Sequence, residues 1–464
     1  MSKWPKVMIA IVMALALVVV GCAPKEAAAP EAEKTITVGI LGALTGPLSS
    51  IGAGATCLHD YWTELNATEG GIKYNDPQTG KEEVVRIKVL MGDHGWDVAK
   101  CISLYERFKA GGMQFVYANG SAPASAIYAM MERDQLPGVI VNSTVDPFVY
   151  ELEKPYLAMD GPPVTSVTGP VISYYSEKWK EEGKPGKIKV GNLAADVATR
   201  RVYDNDEDFG FITYCTDVLD TDFLGNIYMP IGAVDVKAEL SHFIEGEANY
   251  VNVDHWASGA CRIVLENALE LGMHKKGIEL NLNWMGADVA LALPELFEEY
   301  NEYSTVQCGS HGWTGTEPPD VVAEYPGLEL VYHLSAKYHD GKTPEQMGGH
   351  FYVYGVEYGM LGNQAIKETL EKAGYDAFST EELRDALFGL SPIDTGGLLP
   401  TFYPDAKIFN VWPCMQMCDI RDGHIVTVKD RPWLFLSSSK SFPDYKITVT
   451  PEWQDKVWFA PGWK

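Results

Sequence analysis

Short β-branched runs alternate with longer amphipathic stretches along most of this chain, and that alternation restricts the folds open to it. Residues 35–41 (Thr-Ile-Thr-Val-Gly-Ile-Leu) read as a strand, followed by the turn Gly42-Ala-Leu-Thr-Gly-Pro47. A helix over about 54–67 carries Leu58, Tyr61, Trp62 and Leu65 at helical spacing until Gly70-Gly71 breaks it. Strands over 84–91, 115–118 and 138–141 then alternate with helices over 97–110 and 122–133. The pattern restarts with strands over 187–190, 250–253 and 280–285 and helices over 209–222 and 260–271, and a long amphipathic helix follows over 351–373. Strands separated by helices of this length form βαβ units, so the chain is expected to be α/β with parallel sheets. Two successive series without a detectable repeat imply two lobes.

Composition narrows the function classes. The formal charge is −26 over 464 residues. Nucleic-acid binding needs a basic footprint, and anionic headgroups attract basic segments, so neither nucleic acid nor a lipid surface fits this charge. Acidity of this kind keeps a protein soluble through mutual repulsion. The chain has no GxSxG elbow, HExxH, phosphate-binding GxxxxGK[ST] loop or strand-linked GxGxxG, so no catalytic motif and no cofactor is implied. Asp93-His94 and Ser310-His311 place acid, hydroxyl and imidazole in loops without forming a recognisable catalytic constellation.

The N-terminus is the most specific local signal. Lys3 and Lys6 precede an uncharged apolar stretch over 7–20 that ends at Gly21-Cys22, and an Ala/Pro/Glu-rich segment follows. This is the layout of a secretion signal, too short for a comfortable membrane span. The run of apolar and small residues, Gly21 and Cys22 resembles the lipobox of bacterial lipoproteins, whose cysteine is acylated after cleavage. Seven other cysteines remain (Cys57, Cys101, Cys215, Cys261, Cys308, Cys414 and Cys418), and spacing does not assign disulfide partners. Cys414 and Cys418 would stand about 13 Å apart on a strand, beyond disulfide reach. No histidine pair nearby suggests a metal.

Ligands of parallel sheets sit at the carboxyl ends of the strands. Four loops there have suitable chemistry. Asn119-Gly120-Ser121 leads into a helix, where main-chain N–H groups and a hydroxyl suit a carboxylate. Asn142-Ser143-Thr144 is small and polar, Asp254-His255-Trp256 brings an acid and two rings, and Gly286-Ala287-Asp288 ends on a carboxylate. Each has a plainer reading: Ser121, Thr144 and Asp288 as helix caps, Trp256 as packing.

The run Val38-Gly-Ile-Leu-Gly-Ala-Leu-Thr-Gly-Pro47 resembles the opening strand and turn of the leucine/isoleucine/valine-binding family, the type I periplasmic solute receptors of ABC importers. Gly70-Gly-Ile72, Pro123-Ala-Ser125, Asp146-Pro147, Gly169-Pro170, Met285-Gly-Ala-Asp288 and the helix over 351–374 follow in the family's order, covering about 35–428. The resemblance implies two Rossmann-like lobes joined by a three-crossover hinge. The signal peptide would span 1–21 and the lipidated tether 22–34. The N-terminal lobe would comprise 35–162 and 309–405, the C-terminal lobe 163–308 and 406–464. Crossings would lie near 161–163, 308–312 and within 395–412.

By the same resemblance, Asn119, Gly120, Ser121, Asn142, Ser143 and Thr144 would hold a ligand carboxylate. Asp288 would hold its ammonium, and His255 and Trp256 would close over it. The chain departs from the family in having only Ser121 where several Ser/Thr are usual. A second departure is an aromatic-rich tail (Trp453, Trp458, Phe459 and Trp463), which reads as a strap onto a lobe. The expected function is an extracytoplasmic, lipid-anchored solute receptor, not an enzyme. It would bind an amino acid or related amide or carboxylate and deliver it to ABC permease subunits. A ligand-sensing receptor of the same fold is the alternative, with an extracytoplasmic enzyme of unrecognised type behind it.

One acyl chain alone binds a membrane only marginally, and several on Cys22 would hold the protein firmly. Cys22→Ala is expected to move the exported protein from the membrane fraction to the soluble fraction on cell fractionation. A variant still membrane-bound after export contradicts the lipoprotein reading.

Overall fold

The computed structural model describes residues 33–46, 49–141, 155–159, 164–196, 211–230, 232–255, 258–282, 294–300, 304–308, 319–399 and 401–403, with strand segments at 414–421, 424–427, 433–435, 448–449 and 458–459. Cys22 and the tether through residue 32 lie outside them.

The first sheet runs in the order β2-β3-β1-β4-β5-β6. Its strands are β1 (Thr35–Gly42), β2 (Ile72–Asn75), β3 (Glu82–Asp93), β4 (Phe115–Asn119), β5 (Gly138–Val141) and β6 (Leu157–Met159). All are parallel except β2, which pairs antiparallel with β3. The helices are α1 (Ala53–Thr68), α2 (Val98–Ala110), α3 (Ser121–Ser125) and α4 (Tyr128–Asp134). From Ile36 onward β1 is buried on both faces, which is why it reads as a near-continuous apolar run. Ile36, Val38, Ile40, Phe115 and Tyr117 pack in one core with Trp62 of α1. Leu41, Val116, Ala118 and Ile140 pack in another with Tyr105 and Phe108 of α2. The period-2 alternation of β4 thus sorts its side chains between two helical layers.

The second sheet runs β17-β15-β13-β11-β10-β9-β7-β8, with β14 on β13. Its strands are β7 (Lys189–Ala195), β8 (Asp222–Met229), β9 (Tyr250–Asp254), β10 (Glu279–Leu282), β11 (Ser304–Cys308), β13 (Cys414–Arg421), β14 (His424–Thr427), β15 (Trp433–Phe435) and β17 (Trp458–Phe459). Strands β7 to β11 are parallel, and β13 joins β11 antiparallel. Helices α5 (Val164–Glu181), α6 (Lys237–Glu245) and α7 (Ser258–Glu270) belong to this half. A separate pair joins β12 (Phe402–Tyr403) and β16 (Thr448–Val449).

Between the two blocks of second-sheet strands, the chain returns to the first sheet's side with α8 (Pro326–Tyr338), α9 (His350–Ala373) and α10 (Thr380–Leu387). Backbone contact fixes the α1–α9 crossing. A Cβ at Gly355 would stand 2.5 Å from the Cys57 Cβ and 2.6 Å from the Gly54 carbonyl oxygen, and one at Gly359 only 2.3 Å from the Tyr61 ring. Two carboxylates one turn apart on α1 hold α8. Glu64 accepts from Lys337 (2.5 Å), Tyr338 (2.7 Å) and His333 (3.0 Å), while Asp60 meets His339 at 2.6 Å and Tyr352 at 2.9 Å. Burial pushes the Glu64 carboxyl up, but these donors outweigh it and bring it to about 2. Of the expected crossings, 161–163 and 309–312 lie outside the described residues.

Several expectations need correcting. Of the helix expected over 209–222, residues 209–210 lie outside the described residues; it is observed over Phe211–Val218, with a π-turn over Tyr214–Val218, and Asp222 instead opens strand β8. That strand is hard to read because Gly225 takes φ +115° beside a register shift against β7. The single helix expected over 122–133 is two, α3 and α4, interrupted at Ala126-Ile127. The strand expected over 187–190 begins at Lys189 and continues through Gly191 and Asn192 to Ala195.

Asn192 and Asn252 are half of a side-chain amide ladder through the second sheet. Asn192 donates to Asn226 (2.7 Å), Asn252 to Asn192 (2.8 Å) and Asn281 to Asn252 (2.8 Å), and each pair stands in register on neighbouring strands. Asn192, Asn252 and Asn281 are fully buried. At low dielectric such a chain is strong when complete, and costly when broken. Asn252→Leu orphans the Asn192 acceptor and the Asn281 donor and is expected to cost about 2–4 kcal/mol. The measurement is the urea unfolding midpoint; an unchanged midpoint contradicts a contributing ladder.

Candidate functional site

Strands β1, β3 and β4 end side by side, with Gly42 opposite Asp93 and Leu41 opposite Ala118. The loops leaving them are bound together by Asn119, the last residue of β4, which is fully buried. Its side-chain oxygen accepts from the Ala43 N–H (2.8 Å) and its amide donates to the Ile51 carbonyl (2.9 Å), closing the loop between β1 and α1. Its own carbonyl meets His94 Nε2 at 3.0 Å. The Trp96 N–H donates to His94 Nδ1 (3.0 Å), so Nδ1 is bare and Nε2 carries the proton donated to Asn119. Asp93 accepts from the main chain of Leu44 (2.9 Å), Thr45 (3.2 Å) and Gly95 (2.8 Å), and from the Thr45 hydroxyl (2.6 Å).

The Asp93-His94 pair is therefore not an acid–base couple. The carboxylate is engaged by the loop after β1, and both imidazole nitrogens are engaged elsewhere. Asn119, expected to face a ligand carboxylate, has both ends of its side chain bonded to the protein backbone. Gly120 follows at φ +95°, and a Cβ there would stand 2.7 Å from the Trp96 ring, so this position requires glycine twice over. Ser121 opens α3 directly after this bend.

At the corresponding end of the second sheet, Asp254 closes β9 and His255 follows; both are about 1% exposed. Asn142, Ser143, Thr144, Trp256 and Asp288 lie outside the described residues, so of the expected ligand contacts the structure places Asn119, Gly120, Ser121 and His255. Sequence reading missed Trp96 and the roles of Asp93 and His94. The signal available was a Gly-Trp pair between an acid at a strand end and the Asp97 that caps α2.

Among the described residues no group of His, Cys, Asp or Glu is arranged to hold a metal ion, and no helix is long and apolar enough to cross a membrane. Cys57, Cys101, Cys215 and Cys261 are buried and in no disulfide. A polar groove of about 300 Å³ lies near the C-terminal end of α1, away from the strand-end loops, and is lined by Glu69, Lys73, Glu82, Asn363, Lys367 and Glu371. Two ion pairs lie within it, Lys73 with Glu69 at 3.1 Å and Lys367 with Glu371 at 4.0 Å.

No family model matches the sequence, and no curated protein matches it. Solved structures do. An ABC transporter substrate-binding protein of Aeropyrum pernix superposes with a TM-score of 0.67 at 16% identity, over 85% of this chain and 95% of that one. A branched-chain amino acid ABC transporter protein of Thermus thermophilus, with bound valine, gives 0.67 at 14% identity over 90% and 97%. A solute-binding protein of Rhodopseudomonas palustris in complex with 4-hydroxybenzoate gives 0.60 at 13% identity over 85% and 95%. The chain has the type I fold of ABC-transporter substrate-binding proteins. The likeness spans both sheets and most of each chain compared, and at these identities it speaks for the fold alone.

In this substrate-binding fold the described strand ends carry neutral histidines. Burial lowers His94 below the usual imidazole range and lowers His255 to about 4. The unfolded chain binds protons at these sites near pH 6.5, whereas the folded imidazoles resist them. Stability from this source is fully present above pH 6.5 and is lost as pH falls toward 4, by at most about 1.4 kcal/mol per pH unit for each group. The urea midpoint is expected to fall between pH 7 and pH 5, and His255→Asn is expected to flatten that slope. A midpoint that rises over this interval contradicts buried neutral histidines.

Proposed function

We propose that this chain is an extracytoplasmic solute receptor of an ABC importer, anchored through lipid on Cys22. Its ligand is an amino acid or a related small amide or carboxylate, held between the lobes and handed to permease subunits. The observation that carries this reading is the substrate-binding fold extending over 85–90% of the chain, with polar and aromatic loops at the ends of its parallel strands. Parallel α/β sheets take their ligands at those ends.

In this reading Gly120 and Ser121 present main-chain N–H groups and a hydroxyl to the ligand carboxylate, with Asn142, Ser143 and Thr144 beside them. Asn119 supports them by fixing the loop between β1 and α1. Asp288 pairs with the ligand ammonium, and His255 and Trp256 cover it from the second lobe. Charge-assisted hydrogen bonds in a water-excluding cleft select strongly against solutes lacking the matching group.

A thermal-shift panel of amino acids, amides and small carboxylates identifies the ligand; saturation at a hundred times the dissociation constant adds about 2.7 kcal/mol. Calorimetric titration of Asp288→Asn with that solute then tests the site. For an amine-bearing solute the expected loss is about 2–5 kcal/mol, roughly thirty-fold to several thousand-fold in affinity. An unchanged dissociation constant removes Asp288 from the site.

A further inference from the structure

The chain passes between the two sheets three times: β6 leads to α5 and β7, β11 leads back to α8, and the stretch after α10 leads to β13. On the first sheet's side the described ends of these passages touch one another. The second and third meet where α8 begins. The Gly327 N–H donates to the Gly396 carbonyl (3.0 Å). Gly396 takes φ +65°, and a Cβ there would stand 2.5 Å from the Gly327 nitrogen, while one at Gly327 would collide with the Thr395 carbonyl oxygen. The two backbones therefore touch with no side chain between them. The turn is set by its own bonds, from the Gly396 N–H to the Asp394 carboxylate (2.9 Å) and from the Leu399 N–H to the Thr395 hydroxyl (2.7 Å). Leu328, Leu398 and Leu399, on either side of the contact, are buried in the core.

The first and third passages meet at α10. Arg384 lies over the ring of Tyr156, the residue before β6, 4.7 Å from its centroid. Both groups are held: the Tyr156 N–H donates to Glu132 (2.5 Å) and the guanidinium donates to Asp385 (2.7 Å). Between α10 and Gly396 the chain is fastened to α9. There the Gln364 amide donates to the Ser391 carbonyl (2.8 Å), and the Ser391 N–H donates to Glu368 (3.2 Å). The contacts form one line, Tyr156–Arg384–Ser391–Gly396–Gly327, across segments far apart in the chain.

We propose that this line is a coupling collar: it binds the first-sheet ends of all three passages into one cooperative unit, so that the second half of the molecule turns against the first as a single body. Motion between halves concentrates in a few residues at element ends. Three separately rooted passages would let the halves twist and shear at each one. Joined roots remove those modes and leave rotation of the whole. A glycine pair suits this role because a contact between main chains has no side-chain rotamer freedom to take up the movement. None of this depends on which solute, if any, the chain binds.

Native-state hydrogen–deuterium exchange resolves cooperative units directly. The test is exchange of the full-length, solute-free chain as wild type, Gly396→Ala and Arg384→Ala, with rates taken relative to those of α2 and α7. Gly396→Ala is expected to speed exchange roughly tenfold in residues 325–331 and 394–399, and also in 156–159, which it reaches only through Arg384. Arg384→Ala is expected to speed 156–159 and, through Gly396, 325–331. Acceleration confined in each variant to the substituted segment and the one it touches overturns the proposal, as does no acceleration at all. If Gly396→Ala does not fold, Arg384→Ala decides alone. Acceleration that reaches 325–331 supports the collar, and acceleration that stops at 156–159 and 384–388 overturns it.

Discussion

The side chain of Asn119 is the constraint on which the first sheet's functional end depends. It sits where the interior of a parallel sheet gives way to loops, a position at which unpaired main-chain groups are inevitable and water is excluded. One amide satisfies the Ala43 N–H and the Ile51 carbonyl together, so the segment between β1 and α1 closes on itself instead of fraying. The carbonyl of the same residue receives the His94 proton, and His94 in turn receives the Trp96 N–H. Three consecutive strand ends thereby become one hydrogen-bonded unit. An orphaned buried donor or acceptor costs about 1–3 kcal/mol, so each member of the chain holds the others in place.

The second sheet answers a similar problem with the same chemistry applied differently. Its asparagine ladder crosses β8, β7, β9 and β10 at one level of the sheet. A buried amide row tolerates no slip in register without losing every bond in it. Asp254 and His255 stand two and three residues beyond Asn252, so the ladder also fixes the height at which β9 delivers them. In both halves, buried amides fix the strand ends from which the loops depart.

The regular parts of this architecture were legible in the sequence because burial on both faces imposes continuous apolar runs. Strand β1 and the long α9 helix show this, and their observed bounds, Thr35–Gly42 and His350–Ala373, lie within a residue of those expected. Edge strand β8 was not legible. Asp222 is exposed, the next six residues are only partly buried, and Gly225 interrupts the pattern, so an aromatic-rich stretch before it dominates the periodicity. Asn119 was legible as a polar strand-end residue but not in what its side chain bonds. A strand-end asparagine offers the same hydrogen bonds to a solute as to a neighbouring loop, and only the three-dimensional closeness of Ala43 and Ile51 decides between them. Trp96 escaped for a similar reason: nothing in the order Asp-His-Gly-Trp-Asp states that the backbone turns left-handed there.

Under the proposed function, solute binds at the carboxyl ends of the parallel strands, on loops bound together by Asn119 and by the ladder. Hydrogen–deuterium exchange of the full-length chain, with and without a saturating solute, reads this directly. Protection is expected to concentrate in residues 43–51, 94–97, 119–121 and 254–256, with the remaining helices little changed. Protection confined to the groove formed by residues 71–75 and 363–371, with the strand-end loops exchanging as before, would contradict it.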